Sequence, residues 1–395
     1  MRGRLSAKRN KGSRTFLFAF ADNSHAIAVI RMANKNLNAA KNAKKDEFYT
    51  QLIDIENELR HYKHHFKGKT VLCNCDDPRV SNFFHYFSYN FEQLGLKKLI
   101  TTCYKNQNRD LFSQNDSERA IWLEYFGDKN NNRVPDPEEI GIHYFQGDGD
   151  FRSQECIELL KEADIVVTNP PFSLFREYVA QLMKYEKKFI IIGSHNAIHY
   201  SEIFPLIQED KIWLGYNTNQ TMLFAMPDNY EGEIKDIRYG DRIEKRKTGK
   251  VPGITWFTNL DIAKRHEKLI LYKLYTKEEY PQYTNFDAIN VNSVQDIPID
   301  YDGLMGVPDT FVDVYNPIQF ELIGVGSGVM AAKLGVKKNY RGRTDVALNI
   351  NGVDKCPYSR ILIRRRQTGK VKAYEQPEME LPMAAENPEP YNPSV

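Results

Sequence analysis

Residues 163–172, ADIVVTNPPF, decide the fold because a short apolar run ends abruptly at two prolines. The run Ile165–Thr168 has no alternating polar positions, which is typical of a strand covered on both faces. Two consecutive prolines cannot donate backbone hydrogen bonds, so this strand must stop there in a rigid loop. The sequence therefore predicts a buried strand of a parallel sheet, with Asn169 and Phe172 at its carboxyl end.

Apolar strands and helices alternate on both sides of this segment. Uniformly apolar strands need helices on both faces, so the pattern predicts a Rossmann-like α/β fold with a mostly parallel sheet. Sheets of this kind bind ligands at the carboxyl ends of their strands. The predicted elements are strands at residues 71–75, 97–104, 189–193 and 255–258, helices at residues 46–65, 81–91, 157–163 and 175–185, and a looser polar stretch at residues 105–139.

From residue 272 onward the sequence predicts a separate α+β region, because the regular alternation has faded. Its last hairpin is predicted to join residues 346–350 to residues 360–363. The turn is expected at Asn351 and Gly352, since this dipeptide favours the left-handed backbone of two-residue turns.

Charge is unevenly distributed along the chain, although the net charge is only +2. Residues 1–45 carry eleven Lys or Arg against one acid, and residues 333–372 carry twelve against two. Residues 373–395 have five Glu, five Pro and no Lys or Arg, which predicts a disordered acidic tail. One basic run is usually a solvated surface, but two such regions favour a polyanionic partner.

Composition argues against several other classes of site. The five cysteines form no CxxC pair and no zinc spacing, so we expect reduced thiols and no metal. No apolar run approaches the roughly 20 residues of a membrane helix. We therefore expect a globular, cytoplasmic and monomeric protein without a membrane partner.

The loop after the decisive strand suits a conjugated amine. The side-chain oxygen of Asn169 and the carbonyl oxygen of Pro170 can accept both protons of an exocyclic amino group, which frees its lone pair for reaction. Pro171 keeps the loop rigid, and Phe172 supplies a ring on which a flat base can stack. An asparagine and two prolines can also simply end a strand, so the interpretation depends on neighbouring motifs.

A second motif, GDGDF at residues 147–151, lies upstream of that strand by the span of one crossover helix. An Asp followed by an aromatic ring at a strand end can accept from the amino group of a nucleoside cofactor and pack against its base. Asp148, Asp150 and Phe151 are therefore candidate cofactor-binding residues. Gly-Asp-Gly-Asp is also an ordinary turn sequence, and that alternative stays open.

Two further segments complete a pattern that resembles a known family. They are DEFYTQ at residues 46–51 and CNCDDPRVSNFF at residues 73–84. In this order the motifs resemble the EcoRI-type adenine-specific DNA methyltransferases, in a gamma-like arrangement, over about residues 32–372. The resemblance implies a SAM-dependent methyltransferase fold, S-adenosyl-L-methionine as cofactor and double-stranded DNA as partner.

The resemblance also implies individual site residues. The implied cofactor-binding residues are Phe48, Tyr49, Thr50, Asn74, Asp76, Asp77, Asp148, Asp150 and Phe151, and the implied catalytic residues are Asn169, Pro170, Pro171 and Phe172. The chain departs from the wider superfamily at two points. Residues 77–79, DPR, stand where a glycine-rich turn is usual, and residues 101–104 lack the acid that commonly holds the ribose.

The same resemblance implies how the chain is divided. Residues 1–45 are expected to be a basic, flexible extension, with Met32 as the native start. Residues 46–271 are expected to form the SAM-binding catalytic domain, and residues 272–372 the target-recognition region, before the acidic tail.

Three functions remain open from the sequence. The first is site-specific transfer of a methyl group to N6 of a flipped-out adenine in duplex DNA, by a restriction-modification, phage or orphan methylase. The second keeps the loop chemistry on an RNA base or a protein glutamine, and the third is a DNA-binding protein that has lost its cofactor. The basic recognition region favours the first, with Arg341, Arg343 and Arg360 as candidates for reading bases.

Overall fold

A computed structural model of the chain describes residues 49–75, 81–104, 120–132, 135–136, 138–225, 233–239 and 242–366. The predicted amino-terminal extension and acidic tail lie outside these ranges, as do Phe48, Asp76 and Asp77. The chain forms two compact units. The first comprises Met1–Ala197 and Trp213–Leu260, and the second comprises Ile198–Ile212 and Asp261–Val395. Within the described ranges, no helix is both long and apolar enough to span a membrane.

The first unit is an α/β unit with many strands. Its strands are β1 Tyr49–Thr50, β2 Thr70–Cys73, β3 Lys98–Cys103, β4 Ile121–Tyr125, β5 Ile140–Tyr144, β6 Ile165–Thr168, β7 Lys188–Ser194, β8 Trp213–Leu214, β9 Gln220–Ala225, β10 Glu233–Tyr239 and β11 Arg242–Thr258. Its helices are α1 Leu52–Leu59, α2 Asn82–Tyr89, α3 Phe91–Leu94, α4 Gln154–Glu162 and α5 Phe175–Lys184, with 3-10 helices at Lys63–His65 and Phe172–Leu174.

Among the described residues, eleven strands of this unit form one sheet in the order β1-β9-β11-β7-β6-β2-β3-β4-β5, with β8 and β10 also paired to β11. The four central strands β7, β6, β2 and β3 are parallel, which confirms the predicted α/β architecture. Pairing is antiparallel at both sides of these strands, between β11 and β7, between β4 and β3, and between β5 and β4. Helices link the parallel strands, because a parallel connection needs a crossover, whereas a hairpin-like return produces antiparallel neighbours.

Helices cover both faces of the central sheet, as the uniformly apolar strands require. Trp256 of β11 packs against Phe83 of α2, with ring centroids 6.3 Å apart. The adjacent residue Phe257 packs against Phe175 of α5, at 5.1 Å. Neighbouring residues of a strand point to opposite faces, so α2 and α5 cover different sides of the sheet. Trp256 and Phe257 are both fully buried and belong to the core.

Two predictions about local structure are wrong in the first unit. The helix predicted over residues 46–65 is confined to α1, because Tyr49 and Thr50 pair with Ala225 and Phe224 as strand β1. The polar stretch 105–139 contains β4, which the sequence interpretation missed. The residues of β4 alternate between buried and partly exposed positions. A half-buried strand near a sheet edge lacks the continuous apolar run by which a central strand is predicted.

Strand β11 is much longer than the predicted segment 255–258. Its carboxyl-terminal part lies inside the sheet, while residues 242–248 pair with β10 in a two-stranded ribbon. Residues 242–250 carry five Lys or Arg and one Glu. This composition conceals the strand, because charged residues are depleted in strands and do not produce the apolar pattern by which a strand is predicted.

The second unit contains a four-stranded sheet and a separate hairpin. Its elements are α6 Phe204–Gln208, β12 Ile289–Asn290, β13 Met305–Pro308, β14 Phe320–Val325, α7 Gly328–Lys333, β15 Leu348–Ile350, β16 Val353–Lys355 and β17 Arg360–Arg365, with 3-10 helices at Ala263–His266, Val294–Asp296 and Asp309–Val314. The sheet order is β12-β13-β17-β14, and β15 pairs with β16.

The predicted hairpin of the second unit has the correct turn but the wrong second strand. Asn351 and Gly352 both have positive φ, of 52° and 80°. A two-residue turn of this kind pairs the residues directly beside it, so Ile350 lies opposite Val353. Strand β17 instead lies between β13 and β14.

Candidate active site

The carboxyl ends of three adjacent parallel strands bring chemically active residues to one edge of the sheet. Asn74 follows β2, Asn169 follows β6 and His195 follows β7. Strand β6 pairs with β2 on one side and with β7 on the other. This edge is where sheets of this class bind ligands, so it defines the candidate active site.

The loop Asn169–Phe172 is held tightly where β6 ends. Asn169 and Phe172 are 7% and 9% exposed, so both side chains are buried at the edge of the sheet. Phe172 opens the 3-10 helix that leads into α5, and the carbonyl of Pro171 accepts a hydrogen bond from the amide of Leu174 at 3.0 Å. The loop is therefore a fixed feature of the site, as the two prolines predict.

Asn74 is fixed by two residues from the neighbouring part of the sheet. The hydroxyl of Thr168, at the end of β6, donates to the Asn74 main-chain carbonyl. The hydroxyl of Tyr178 in α5 donates to the Asn74 side-chain oxygen. Both bonds engage oxygens of Asn74, so the side-chain NH2 group takes no part in them.

The first turn after β2 is built without glycine. Cys75 has a φ of 80°, in the left-handed region that favours glycine. Backbone strain of this kind is often found at ligand-binding turns. The following residues Asp76 and Asp77, which the resemblance places in this turn, lie outside the described residues.

Gly149 allows the loop 147–151 to approach the carboxyl end of β3. Its φ is 75°, and a Cβ built on it would lie 2.6 Å from the carbonyl oxygen of Cys103. No side chain fits at that distance, so this part of the motif is fixed by backbone packing. The GDGDF loop therefore lies against the carboxyl end of β3.

The two carboxylates of this loop have different surroundings. Both oxygens of Asp150 accept hydrogen bonds from the Arg152 guanidinium, at 2.9 and 2.8 Å, and these bonds hold the pKa of Asp150 below its ordinary range. Arg152 also pairs with Glu177, at 2.8 Å. Asp148 uses one oxygen to accept the amide of Asp150, at 3.1 Å. Asp148 therefore keeps more capacity to accept a ligand's protons.

Phe151 is packed into the same cluster as Asn74. Its ring meets Tyr178 edge-on, with centroids 5.0 Å apart, and its carbonyl accepts a hydrogen bond from Gln181 at 2.9 Å. Tyr178 thus contacts both Phe151 and Asn74. One helix, α5, connects the GDGDF loop to the first turn of the sheet.

Thr50 and Asn82 form a polar pair between β1 and the start of α2. The side-chain NH2 of Asn82, at the start of α2, donates to the carbonyl of Thr50 at 2.8 Å. Both residues are 2% exposed. Within the described part of the chain, Oγ1 of Thr50 and Oδ1 of Asn82 have no hydrogen-bond partner. Two buried acceptors at one place suit a ligand that carries several N–H donors.

His195, the first residue after β7, belongs to a small hydrogen-bonded group with Thr255 and Asn219. Nδ1 of His195 lies 3.0 Å from the hydroxyl oxygen of Thr255 in β11. The same oxygen accepts the amide of Asn219, also at 3.0 Å. These contacts fix the wall of the site next to Asn169.

Sequence reasoning missed Tyr178, Asn82 and Glu58. Glu58 is fully buried and accepts hydrogen bonds from Tyr62 and from the amides of Tyr216 and Asn217, at 2.7 to 2.8 Å. Burial raises the pKa of its carboxyl above the ordinary value, and the hydrogen bonds oppose that shift. A signal was present, because Glu58 lies three residues after Ile55 on the apolar face of α1.

A parallel α/β sheet with an Asn-Pro-Pro-Phe loop at its carboxyl edge defines an α/β methyltransferase. The family model described as adenine-specific methyltransferase EcoRI matches residues 36–366. The chain belongs to this family, which makes it an enzyme of the adenine-specific methyltransferases. The resemblance found in the motifs is thereby confirmed.

Three curated relatives support this assignment. The chain is 49% identical over 343 residues to type II methyltransferase M.EcoRI of Escherichia coli, covering 85% of this chain and 98% of the relative. It is 38% identical over 339 residues to M.MgeORF184P of Mycoplasma genitalium, covering 84% and 99%. It is also 38% identical over 336 residues to M.MpnI of Mycoplasma pneumoniae, covering 84% and 98%. No solved structure matches the chain.

Proposed function

We propose that this enzyme transfers the methyl group of S-adenosylmethionine to N6 of a flipped-out adenine at a specific site in duplex DNA. The observation that carries the proposal is the buried loop Asn169–Phe172 at the carboxyl end of β6, in a chain of the adenine-specific family. Its relatives are named type II methyltransferases, which supports DNA as the substrate.

The residues at the edge of β2 suit the cofactor's amino acid and nucleoside parts. The two buried acceptors of Thr50 and Asn82 fit its ammonium group, with Phe48 and Tyr49 beside them in sequence. Asn74, with Asp76 and Asp77 of the same turn, offers polar groups to the rest of the molecule. The bound cofactor supplies an electrophilic methyl group, and the role of these residues is to orient it.

The GDGDF loop is proposed to hold the adenosine. Of its two acids, Asp148 is the better acceptor for the adenine amino group, because Arg152 occupies both oxygens of Asp150. Asp150 then acts by fixing Arg152 and the loop. Phe151, held by Tyr178, provides an apolar ring against which a base can pack.

The catalytic loop is proposed to bind the target base. The side-chain oxygen of Asn169 and the carbonyl of Pro170 accept the two amino protons, which favours a nitrogen lone pair directed out of the ring plane. Phe172 stacks on the base, and Pro171 keeps the loop rigid. An amino group inside a duplex is inaccessible, so the nucleotide must leave the helix stack before reaction.

Two regions of the chain are proposed to have different functions, catalysis and DNA recognition. Residues 46–271 bind the cofactor and perform transfer, and residues 272–372 recognise the DNA target. The prediction that Arg360 reads bases is wrong, because its guanidinium is buried and bound internally. Arg360 is 9% exposed, and its guanidinium donates to Asn290 at 3.1 Å and to the carbonyl of Tyr358 at 3.0 Å. It therefore acts as an internal link of the second unit.

Transfer of labelled methyl from S-adenosylmethionine tests the proposal. We expect label in duplex DNA, released as N6-methyladenine after hydrolysis, and no label in RNA or protein supplied at equal mass. Label in RNA or on a glutamine amide would replace DNA as the substrate. Tight DNA binding without transfer to any acceptor would show a binding protein and refute the proposal.

A further inference from the structure

The second unit presents a group of exposed cations on a short stretch of the chain. Its members all lie in α7 and the segment after it, and all are exposed: Lys333, Lys337, Lys338, Arg341 and Arg343. Among the described residues none of the five forms an ion pair. Other arginines of this unit do pair, as Arg365 does with Asp302 at 2.8 Å. Exposed cations without acidic neighbours attract a polyanion.

The loop that carries four of these cations, all except Lys333, is fixed at both ends by one buried side chain. Asn285 is 8% exposed, and its NH2 group donates to the carbonyls of Lys337 and Asp345, each at 2.8 Å. Its side-chain oxygen accepts the amide of Ala347, also at 2.8 Å. Residues 337–345 therefore leave and rejoin the core at set positions. We call this segment the basic loop.

The tip of the basic loop is fixed by a second asparagine. The side-chain oxygen of Asn339 accepts the amides of Arg341 and Arg343, at 2.8 and 3.3 Å. Gly342, with a φ of 71°, donates its amide to the Asn339 carbonyl at 2.8 Å. The loop thus turns back sharply, and both arginine backbones are held at its tip.

The nearest acid in sequence, Asp345, forms a backbone hydrogen bond and, among the described residues, no ion pair with these cations. One carboxylate oxygen of Asp345 accepts the amide of Gly328, at the start of α7, at 3.1 Å. Tyr340, which is 48% exposed, lies beneath the Arg341 guanidinium at 5.1 Å. The tip therefore presents two arginines and an aromatic ring, a combination suited to base edges and sugar-phosphate backbone.

We propose that the basic loop enters a groove of the DNA and that Arg341 and Arg343 read bases of the target site. Lys333, Lys337 and Lys338 contact phosphates, while Asn285 and Asn339 are positioning residues. The inference rests on the proposed function. A rigid loop loses little conformational entropy on binding, and an arginine fork pairs well with guanine in the major groove.

The test uses full-length protein and a duplex containing the site found by sequencing methylated DNA. Arg341→Ala and Arg343→Ala should each weaken binding to that duplex roughly tenfold to a hundredfold, and binding to a duplex with one altered base much less. Lys338→Ala should weaken binding to both duplexes alike and lower the salt slope by roughly one. Lys277→Ala is the matched control, since Lys277 is also an exposed lysine of this unit.

Variants of Asn339 test whether this residue positions the two arginines or only stabilises the second unit. Asn339→Asp keeps the acceptor for both arginine amides, whereas Asn339→Ala removes it. Both variants lose the NH2 group that donates to the Asp345 carbonyl and to Cys356, at 3.0 and 3.2 Å. We expect the Ala variant to lose discrimination between the two duplexes and the Asp variant to retain part of it, at urea midpoints lowered to a similar extent in both. Equal loss of discrimination in both variants would contradict the positioning role.

The outcomes distinguish this inference from the proposed function. If the wild type methylates DNA while both arginine variants bind and discriminate as it does, the basic loop is not the recognition element. If the wild type transfers no methyl to DNA, the proposed function itself fails. Cofactor binding by each variant, measured without DNA, should equal that of the wild type.

Discussion

The hydroxyl of Tyr178 in α5 donates a hydrogen bond to the side-chain oxygen of Asn74, 104 residues earlier in the chain. Tyr178 is 2% exposed, and its ring also packs against Phe151. One tyrosine thus fixes both segments that are proposed to surround the cofactor. The first prediction follows from this contact.

Tyr178→Phe should weaken binding of S-adenosylmethionine several-fold and lower the free energy of unfolding by about 1–3 kcal/mol, because a buried acceptor on Asn74 loses its donor. Isothermal titration and urea unfolding measure the two effects. Tyr185→Phe is the control, since Tyr185 follows the same helix and makes no such bond. Unchanged cofactor affinity in Tyr178→Phe would separate Asn74 from the cofactor site.

Asn169→Ala should lower the rate of methyl transfer at least a hundredfold, the usual effect of removing one preorganised polar group from a transition state. Affinity for cofactor and for DNA should stay near wild type, because this side chain is proposed to act on the target amine. Single-turnover transfer and separate binding assays test both parts. Turnover near the wild-type rate would refute the role of Asn169.

Gly149→Ala should destabilise the first unit by about 1–3 kcal/mol and weaken cofactor binding, since its Cβ would meet the Cys103 carbonyl and its φ is positive. Thermal unfolding with and without cofactor measures this. Gly147→Ala serves as control, because an added Cβ there meets a carboxylate at the flexible end of Glu155. Equal losses of stability and cofactor binding in Gly149→Ala and Gly147→Ala would show that the close approach of Gly149 to β3 is not required for either property.

Burial raises the pKa of the Cys156 thiol to about 11. The folded protein therefore holds this proton more tightly than the unfolded chain, whose thiol ionises near 9. Its stabilising effect is complete below pH 9 and is lost as the pH rises toward 11. Urea unfolding from pH 8 to 11 should show a steeper decline for wild type than for Cys156→Ala. Parallel profiles would contradict the shift.

Chemical labelling of the folded protein tests the state of the Cys156 thiol independently. Iodoacetamide at pH 8 should leave Cys156 unmodified in the folded protein, because the thiolate is the reactive form. Cys356, which is less buried, is the internal comparison. Labelling of Cys156 at the rate of Cys356 would show that the thiol is accessible and ionised.

Local signals explain which parts of the fold the sequence predicted. Strand β6 and its loop were predicted at the correct residues, because an apolar run and two prolines act within a few residues. Strand β1 was not, since Tyr49 and Thr50 adopt it by pairing with Ala225 and Phe224. Long-range pairing of this kind leaves no periodic pattern at the strand itself.

The residues of the candidate site also fall into two groups, those that a local motif predicts and those that it does not. Asn169, Phe172 and the GDGDF loop could be proposed from the sequence, because their chemistry is contained in short motifs. Tyr178 and Asn82 were not, because each acts through one contact with a distant segment. An ordinary amphipathic helix such as α5 does not show which of its buried side chains meets another motif.

By itself, the sequence determined the strand, the rigid loop and the kind of groups available for reaction. Only the tertiary structure decided which of those groups remain available. Arg152 occupies both oxygens of Asp150, and Asn290 with nearby carbonyls holds Arg360 inside the second unit. Arg341 and Arg343 are exposed, and Asn339 binds their backbone amides. A charge can serve a ligand only where no internal partner has already satisfied it, and folding brings those partners from distant parts of the chain.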